Sequence, residues 1–427
     1  MNGPAQLPLA DETAEIKTDV LVIGGGNAAL CAAISARREG AEVMIVEAAP
    51  KFYRGGNTRH TRNLRCAHDK GNEILTGPYP EEEFWDDLMR VTGGETDEDL
   101  ARFTIEQSKE LWDWMNEAGV RFQKPLGGTL NLGRTNAFFL GGGRAMLNAL
   151  YDTAEKLGVE IRYDTAVTSL NIEDGFFKSA EIEGPDGRAQ VGARSLVTAA
   201  GGFESNIEWL KEYWGERAEN FLIRGTDNNR GSILRMLLDA GIEPVGDPTQ
   251  CHAVAIDARS PKYDGGIVTR LDCVVFGIVM NNRCERFYDE GEDFWPKRYA
   301  IWGRMVADQP DQIAYIVFDQ KAIGRFMPSV YPAIEAPTLR ELAGKLDLDS
   351  DAFEATVQRF NATVVDGTFN PNELDDCHTE GLTPPKTHWA RRIDEAPFYA
   401  YPVRPGITFT YLGTRVNRQA SVLMQGG

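Results

Sequence analysis

The chain has 427 residues, enough for roughly two or three domains with ample core, and its six cysteines form no Cys-x-x-Cys pair. Its 64 acidic against 45 basic residues leave a formal charge of −19, which argues against nucleic acid and anionic membrane surfaces as partners. Met1 to Thr18 shows neither a basic n-region nor an apolar h-region, and no later run approaches the length of a membrane span, so a cytoplasmic protein without direct membrane insertion is expected.

Val20 to Ile23 is a short apolar run ended by glycine, as expected of a parallel strand buried on both faces. Gly24-Gly25-Gly26-Asn27-Ala28-Ala29 then opens an alanine-rich helix, and a second strand, Val43 to Val46, ends at Glu47. This is the pattern of a dinucleotide-binding βαβ unit. Gly24 makes the tight turn, Gly26 lets the backbone approach a pyrophosphate, and Ala29 stands at the third glycine position. Glu47, 21 residues past Gly26, is spaced to accept ribose hydroxyls. An acid there disfavours a 2′-phosphate, so NADP fits least well, while FAD and NAD both fit.

Gly55 to Asn63 is a polar, glycine-bearing loop with anion-binding capacity. Helices are expected over Glu81 to Val91 and over Asp97 to Ala118, the second capped by Thr96. After Gly141-Gly142-Gly143 come a helix from Ala145 to Leu157, a strand from Glu160 to Tyr163, a hairpin around Gly184-Pro185-Asp186-Gly187, and a strand from Leu196 to Ala199. From about Gln250 the pattern turns to irregular strands and aromatic-rich turns. Thr338 and Glu341 form a capping box for a helix Leu339 to Lys345, Ala352 to Phe360 gives a second, and Val365 to Pro385 reads as a surface loop. The expected fold class is α/β, a Rossmann-like nucleotide-binding domain over 1–245 with an inserted α+β capping domain over 246–403 and a return to the first domain over 404–427. Cysteine spacing fits neither zinc nor iron–sulfur ligation, so no metal is expected, and electrons from any flavin must leave to oxygen, a soluble acceptor or another protein.

Four segments resemble the flavoprotein subunits of the succinate dehydrogenase and fumarate reductase superfamily: the fingerprint ending at Glu47, Gly55-Gly56-Asn57-Thr58, Ala199-Ala200-Gly201-Gly202-Phe203, and the helix pair Thr338 to Ala343 with Thr356 to Asn361. The resemblance implies FAD. It is noncovalent, because Asn57 stands where covalently flavinylated members place a histidine. The cofactor contacts implied are Gly24, Gly26, Asn27, Ala28, Glu47, Ala48, Gly55, Gly56, Asn57, Thr58, Val167, Ala200, Gly201 and Gly202. Within the superfamily, Arg59 to Cys66, Asn136 to Leu140 and Phe287 to Asp293 look like the branch that oxidises tricarballylate to cis-aconitate and passes electrons to a separate membrane-associated iron–sulfur protein. The flavoprotein half of aerobic precorrin-3B synthase shares these segments, and a fumarate reductase-like or inactive flavoprotein also remains open.

Oxidising a bond between carboxylated carbons needs a hydride acceptor, a base for the neighbouring proton, and cations to hold the tricarboxylate or dicarboxylate substrate. The resemblance assigns His252 to substrate binding and places the proton-transferring arginine after Cys284 to Glu290. A count without gaps reaches Phe294, and a short insertion reaches Arg298, which is preferred, its guanidinium desolvated beside acids such as Glu290. Arg286 lies within the same segment. Where the family has a histidine at the exit from the cap, this sequence has Phe409, so Tyr411 or Arg415 is expected to substitute, with Arg134 a further carboxylate ligand. Family members continue past Gln425-Gly426-Gly427 into a strand, an Ala-Gly-Glu turn and a helix that close over the flavin. Residues 1–427 alone are therefore expected to bind FAD poorly or not at all.

Overall fold

The computed structural model describes residues 14–128 and 130–426, and the leaderless reading of residues 1–13 lies outside them. Strand β1 (Ala14–Ile23) starts six residues before the apolar run, because its polar half is held by pairing with Ala189 to Ala193. Helix α1 (Asn27–Arg38) leads to β2 (Val43–Val46). With β3 (Glu160–Arg162), β4 (Ala166–Glu173), β5 (Phe176–Gly184) and β6 (Gly187–Thr198) these strands form one sheet of order β3-β2-β1-β6-β5-β4. The first four run parallel, and β6, β5 and β4 form an antiparallel meander. The strand expected from Leu196 to Ala199 is thus the tail of β6, and the expected hairpin joins β5 to β6.

Helix α2 (Gly142–Lys156) buries Met146, Leu147, Leu150, Tyr151 and Ala154 against Ala29, Leu30, Ala33 and Ile34 of α1. It begins three residues before Ala145, the expected start. The Gly143 amide donates to the Thr61 carbonyl at 2.7 Å, and a Cβ there would stand 2.2 Å from the Thr58 carbonyl, so glycine lets the helix start against the turn Gly56–His60. The single helix expected over 97–118 is broken into Glu98–Gln107, a 3₁₀ turn Ser108–Glu110, and Leu111–Glu117. Buried Ser108 causes the break, since its hydroxyl donates to the Ile105 carbonyl at 2.6 Å and accepts from the Ala67 amide at 2.9 Å. Asp97, not Thr96, is the cap, accepting from the Leu100 amide at 3.0 Å.

A second sheet contains β7 (Leu222–Ile223), β8 (Cys251–Asp257), β9 (Ile278–Asn281), β10 (Ala314–Asp319) and β11 (Phe398–Thr410). Its order is β7-β11-β10-β9, and β8 also pairs with β11. One face packs Ile316, Phe318, Tyr401 and Val403 on Trp295, Trp302 and Trp389. The other is covered by Leu339–Lys345, capped by Thr338 as expected, and by Ser350–Thr363, which starts earlier than expected because Asp349 accepts from the Asp351 and Ala352 amides. The 365–385 segment is less of a surface loop than its composition suggests. Val364–Val365 pairs with His378–Thr379, Cys377 and Thr379 are buried, and Trp389 donates to the Asn370 and Glu373 carbonyls, tying the segment to the core. Among the described residues, no helix is long and apolar enough to cross a membrane.

Candidate active site

A cleft with about 1190 Å³ of open space runs along the carboxyl ends of β1, β2 and β6, and every cofactor contact expected from the sequence lines it. Two glycines shape its floor. Gly24 has φ of +107°, and a Cβ there would lie 2.4 Å from the Ala199 carbonyl at the end of β6. On Gly25 a Cβ would lie 2.2 Å from the Tyr151 hydroxyl and 2.3 Å from Glu47 Oε2. The turn into α1 therefore meets the cleft as bare backbone; the Asn27 amide donates to the Thr58 hydroxyl at 3.1 Å, and the helix start is suited to a pyrophosphate. Glu47 accepts from the Ala49 and Gly55 amides at 2.9 and 3.3 Å. Burial pushes its pKa up and backbone amides oppose that, leaving lone pairs for hydroxyl donors. This donor set fits a dinucleotide with free ribose hydroxyls at the Glu47 end.

The other end is built on Asn57 and Glu204. The Asn57 amide donates to Glu204 Oε1 at 2.5 Å and to the Thr408 carbonyl, while its Oδ1 accepts from the Thr226 amide at 2.9 Å. Gly225 makes room for it, since a Cβ there would fall 1.6 Å from Asn57 Oδ1. Asn229 donates a second bond to Glu204 Oε1 at 2.7 Å. Glu204 is 0% exposed, Oε2 has no hydrogen-bond partner, and burial pushes its pKa up to about 7 against the pull of these amides.

Beyond this end, Thr408 leads to a cationic cluster. Its hydroxyl lies 3.1 Å from His252 Nδ1, and the imidazole stacks on Phe409 with ring centroids 4.8 Å apart. The pairing of β8 with β11 shifts register just after His252. Burial first, and the Arg224 charge second, push its pKa down to about 3, so it is neutral at pH 7. Tyr299 meets His252 edge-on at 5.8 Å and lies under the Arg270 guanidinium at 4.5 Å. Arg270 pairs with Asp272 at 2.7 Å, Arg62 lies 3.7 Å from the same carboxylate, and Arg224 feels the charges of Tyr299 and Asp272. Each of the three arginines is at most 8% exposed. Arg62 Nε and Nη2, Arg224 Nε and Nη1, and Arg270 Nε make no hydrogen bond, Arg62 Nη2 meeting Asp272 only at ion-pair distance. Three buried guanidiniums against one carboxylate leave two formal positive charges and five donor nitrogens without a hydrogen bond, an arrangement that costs stability unless an anion completes it.

Of the catalytic residues expected from sequence, His252 lies in this cluster, with Phe409 beside it. Arg286 is closed in a pair with Glu290 at 2.5 Å and donates to the Pro384 and Pro385 carbonyls. Arg298 bonds Glu292 and the Tyr288 hydroxyl rather than Glu290, which is taken up by Arg286. Burial alone would loosen its proton, but Glu292 and Tyr288 outweigh that and hold it more firmly. Tyr411 is 43% exposed, Arg415 pairs with Glu243 at 3.3 Å, and Arg134 is held by Glu83 and the Pro78 carbonyl. The sequence reading missed Arg224, Arg270, Tyr299 and Glu204. Arg62 lay inside the anion-binding loop already marked, whereas Glu204 stood one residue beyond a quoted segment.

The description "FAD binding domain" matches residues 19–427. The chain belongs to this FAD-binding family. The FAD-binding chain is 26% identical over 422 residues to the NADH:fumarate oxidoreductase of Klebsiella pneumoniae, covering 95% of this chain and 42% of that protein. It is 26% identical over 420 residues to the fumarate reductase (cytochrome) of Shewanella frigidimarina, covering 95% and 69%. It thus spans less than half of the first relative's length. The solved 3-ketosteroid-Δ4-(5α)-dehydrogenase from Rhodococcus jostii RHA1 shares the fold with a TM-score of 0.71 at 21% identity, over 98% of this chain and 89% of that one. Proteins named for a dicarboxylate and for a steroid are both among these, so the fold does not choose the substrate.

Proposed function

We propose that this chain is the flavoprotein part of an oxidoreductase acting on a carbon–carbon bond of a polycarboxylate, most specifically the oxidation of tricarballylate to cis-aconitate. The observation that carries the reading is the buried set of Arg62, Arg224 and Arg270 with five donor nitrogens free of hydrogen bonds, a site suited to several carboxylates and unsuited to a steroid. FAD, held noncovalently with Asn57 at its flavin end, supplies a two-electron hydride acceptor. The chain's own residues do the rest. The arginines orient the carboxylates and stabilise charge developing on them, neutral His252 offers a ring N–H, and Phe409 and Tyr299 hold the His252 ring between them. Proton removal is assigned to Arg298 as carrier, with Glu292 as the terminal acceptor. The domain division proposed is 1–245, 246–403 and 404–427; the second sheet reaches across both boundaries through β7 and β11. Electrons leave to a separate iron–sulfur protein.

Anaerobic addition of tricarballylate to the FAD-loaded protein is expected to bleach the flavin absorbance. A second reading, fumarate reduction, is favoured by the two named relatives. It predicts that fumarate reoxidises the chemically reduced protein while tricarballylate leaves the oxidised protein unchanged. No response to either compound would sink both readings.

A further inference from the structure

The Gly24 to Ala28 turn and Glu47 fix the phosphate and adenosine end of the cleft, so its opposite end, bounded by Gly201, Gly202, Glu204, Asn229 and Phe409, receives the flavin ring. Two carboxyl groups line this cleft, and they are built differently. Glu47 is held by the backbone amides of Ala49, Gly55, Gly25 and Ala48, all of which favour its ionised form. Glu204 has its side-chain donors on one oxygen, and the amides of Glu204 and Thr410 add a further pull toward the ionised form. Asn57 and Asn229 both give to Oε1, while Oε2 stands without a partner at full burial on the cleft wall. The carboxyl is therefore fixed in orientation with one oxygen left for a proton or a ligand donor.

Its surroundings contain no cation in bonding contact. From β11 the Thr410 amide favours its ionised form, a Cβ on Gly202 would lie 2.7 Å from Oε2, and from β8 the buried Cys251 thiol, itself pushed up to about 12, feels its charge. Asn57 from the Gly56–His60 turn and Asn229 ahead of the helix Ser232–Asp239 are uncharged. Arg230, next to Asn229 in the chain, lines the same cleft without a hydrogen bond to Glu204. Glu204 is already fully buried, and a dinucleotide in the cleft adds a pyrophosphate whose negative charge favours the neutral carboxyl.

We propose that Glu204 is a proton-taking ligand of the cofactor: when FAD occupies the cleft, one proton passes from solvent to Glu204 Oε2, and the resulting O–H faces the flavin end as a neutral donor. The inference rests on FAD occupying this cleft, and it says nothing of the substrate. The bond formed is Oε2–H, the proton comes from water or buffer, and no electron moves.

Its test uses the full chain stripped of FAD. Binding of FAD is followed from pH 6 to 9 by quenching of flavin fluorescence, and proton uptake is followed in weak buffer with an indicator dye. Uptake is expected to rise from near zero at pH 6 toward one proton per FAD at pH 8, with affinity falling by up to about tenfold per pH unit over the upper part of the range. The Glu204→Gln variant, which keeps shape and offers a permanent N–H donor, is expected to bind FAD with no proton uptake and a flat profile. If the variant does not fold, uptake by the wild type alone decides. Proton uptake that is absent in the wild type, or equal in the variant, overturns the proposal while leaving the cofactor intact. Failure of the wild type to bind FAD even at pH 6 overturns both.

Discussion

Replacing Arg224 by methionine should move stability and substrate affinity in opposite directions. Arg224 is 6% exposed with Nε and Nη1 unpaired, so the ligand-free fold carries the cost of a buried, incompletely satisfied charge. An unpaired buried donor costs about 1–3 kcal/mol, and exchanging a buried charge for an apolar side chain of similar volume stabilises by roughly 1–4 kcal/mol. The R224M protein without ligand should therefore unfold at a higher temperature. A buried charge-assisted contact to a carboxylate is worth about 2–5 kcal/mol when truncated, or roughly 30- to 5,000-fold in affinity. The assay pairs thermal unfolding with anaerobic flavin bleaching by tricarballylate, reading the concentration that gives half the change. An unfolding midpoint that falls together with an unchanged half-bleaching concentration would make Arg224 a structural charge and refute the carboxylate site.

Arg286→Met should behave oppositely, losing about 3–5 kcal/mol because it strands the fully buried Glu290 carboxylate, while the FAD-loaded protein keeps its substrate affinity. Denaturant unfolding and the bleaching titration check the two halves. Gly25→Ala should empty the cleft of FAD, since its Cβ would fall 2.2 Å from the Tyr151 hydroxyl and 2.3 Å from Glu47 Oε2. Retention of the yellow cofactor through gel filtration at wild-type stoichiometry would contradict this. His252 is held neutral down to about pH 3 in the fold, against an ordinary value of 6.5. Its contribution to stability is thus present above about pH 6.5 and is lost as pH falls from there toward 3. Unfolding at pH 5 should take up about one more proton in the wild type than in His252→Gln, measured by calorimetry in buffers of different ionisation enthalpy.

The first βαβ unit is legible because its pattern is local: the apolar run, the glycines and Glu47 lie within one stretch, although the contacts that require Gly24 and Gly25 come in part from Ala199 and Tyr151, far along the chain. Helix caps at Thr338 are legible for the same reason. Ser108 shows where local pattern fails, because the hydroxyl that breaks the helix there is drawn by the Ala67 amide, 41 residues away. The cationic cluster was hidden by distance along the chain. Arg62 precedes the short strand Asn63–Arg65, Arg224 follows β7 and Arg270 follows the 3₁₀ turn Ile267–Thr269, with no shared motif. The β7–β11 pairing and the bridge of Arg270 to Ile256 of β8 fix the last two, and long-range packing adds Arg62 beside Asp272. Arg298 was misjudged in its partner rather than its neighbourhood, since spacing could not say whether Glu290 or Glu292 would face it.

Strand β11 joins matters that chemistry would otherwise keep apart. Its early residues are clamped between β10 and the short strand Ile334–Ala336, its middle carries β7 and β8, and its last turns present the Thr408 carbonyl to Asn57, the Thr408 hydroxyl to His252 and the Thr410 hydroxyl to the Phe203 amide. It therefore acts as a tie rod, anchored in the second sheet and fastened at its tip to both the cofactor cleft and the cationic cluster. Because one residue, Thr408, gives its carbonyl to Asn57 and its hydroxyl to His252, any displacement of the β11 tip moves a partner of the cofactor cleft and a partner of the cationic cluster together.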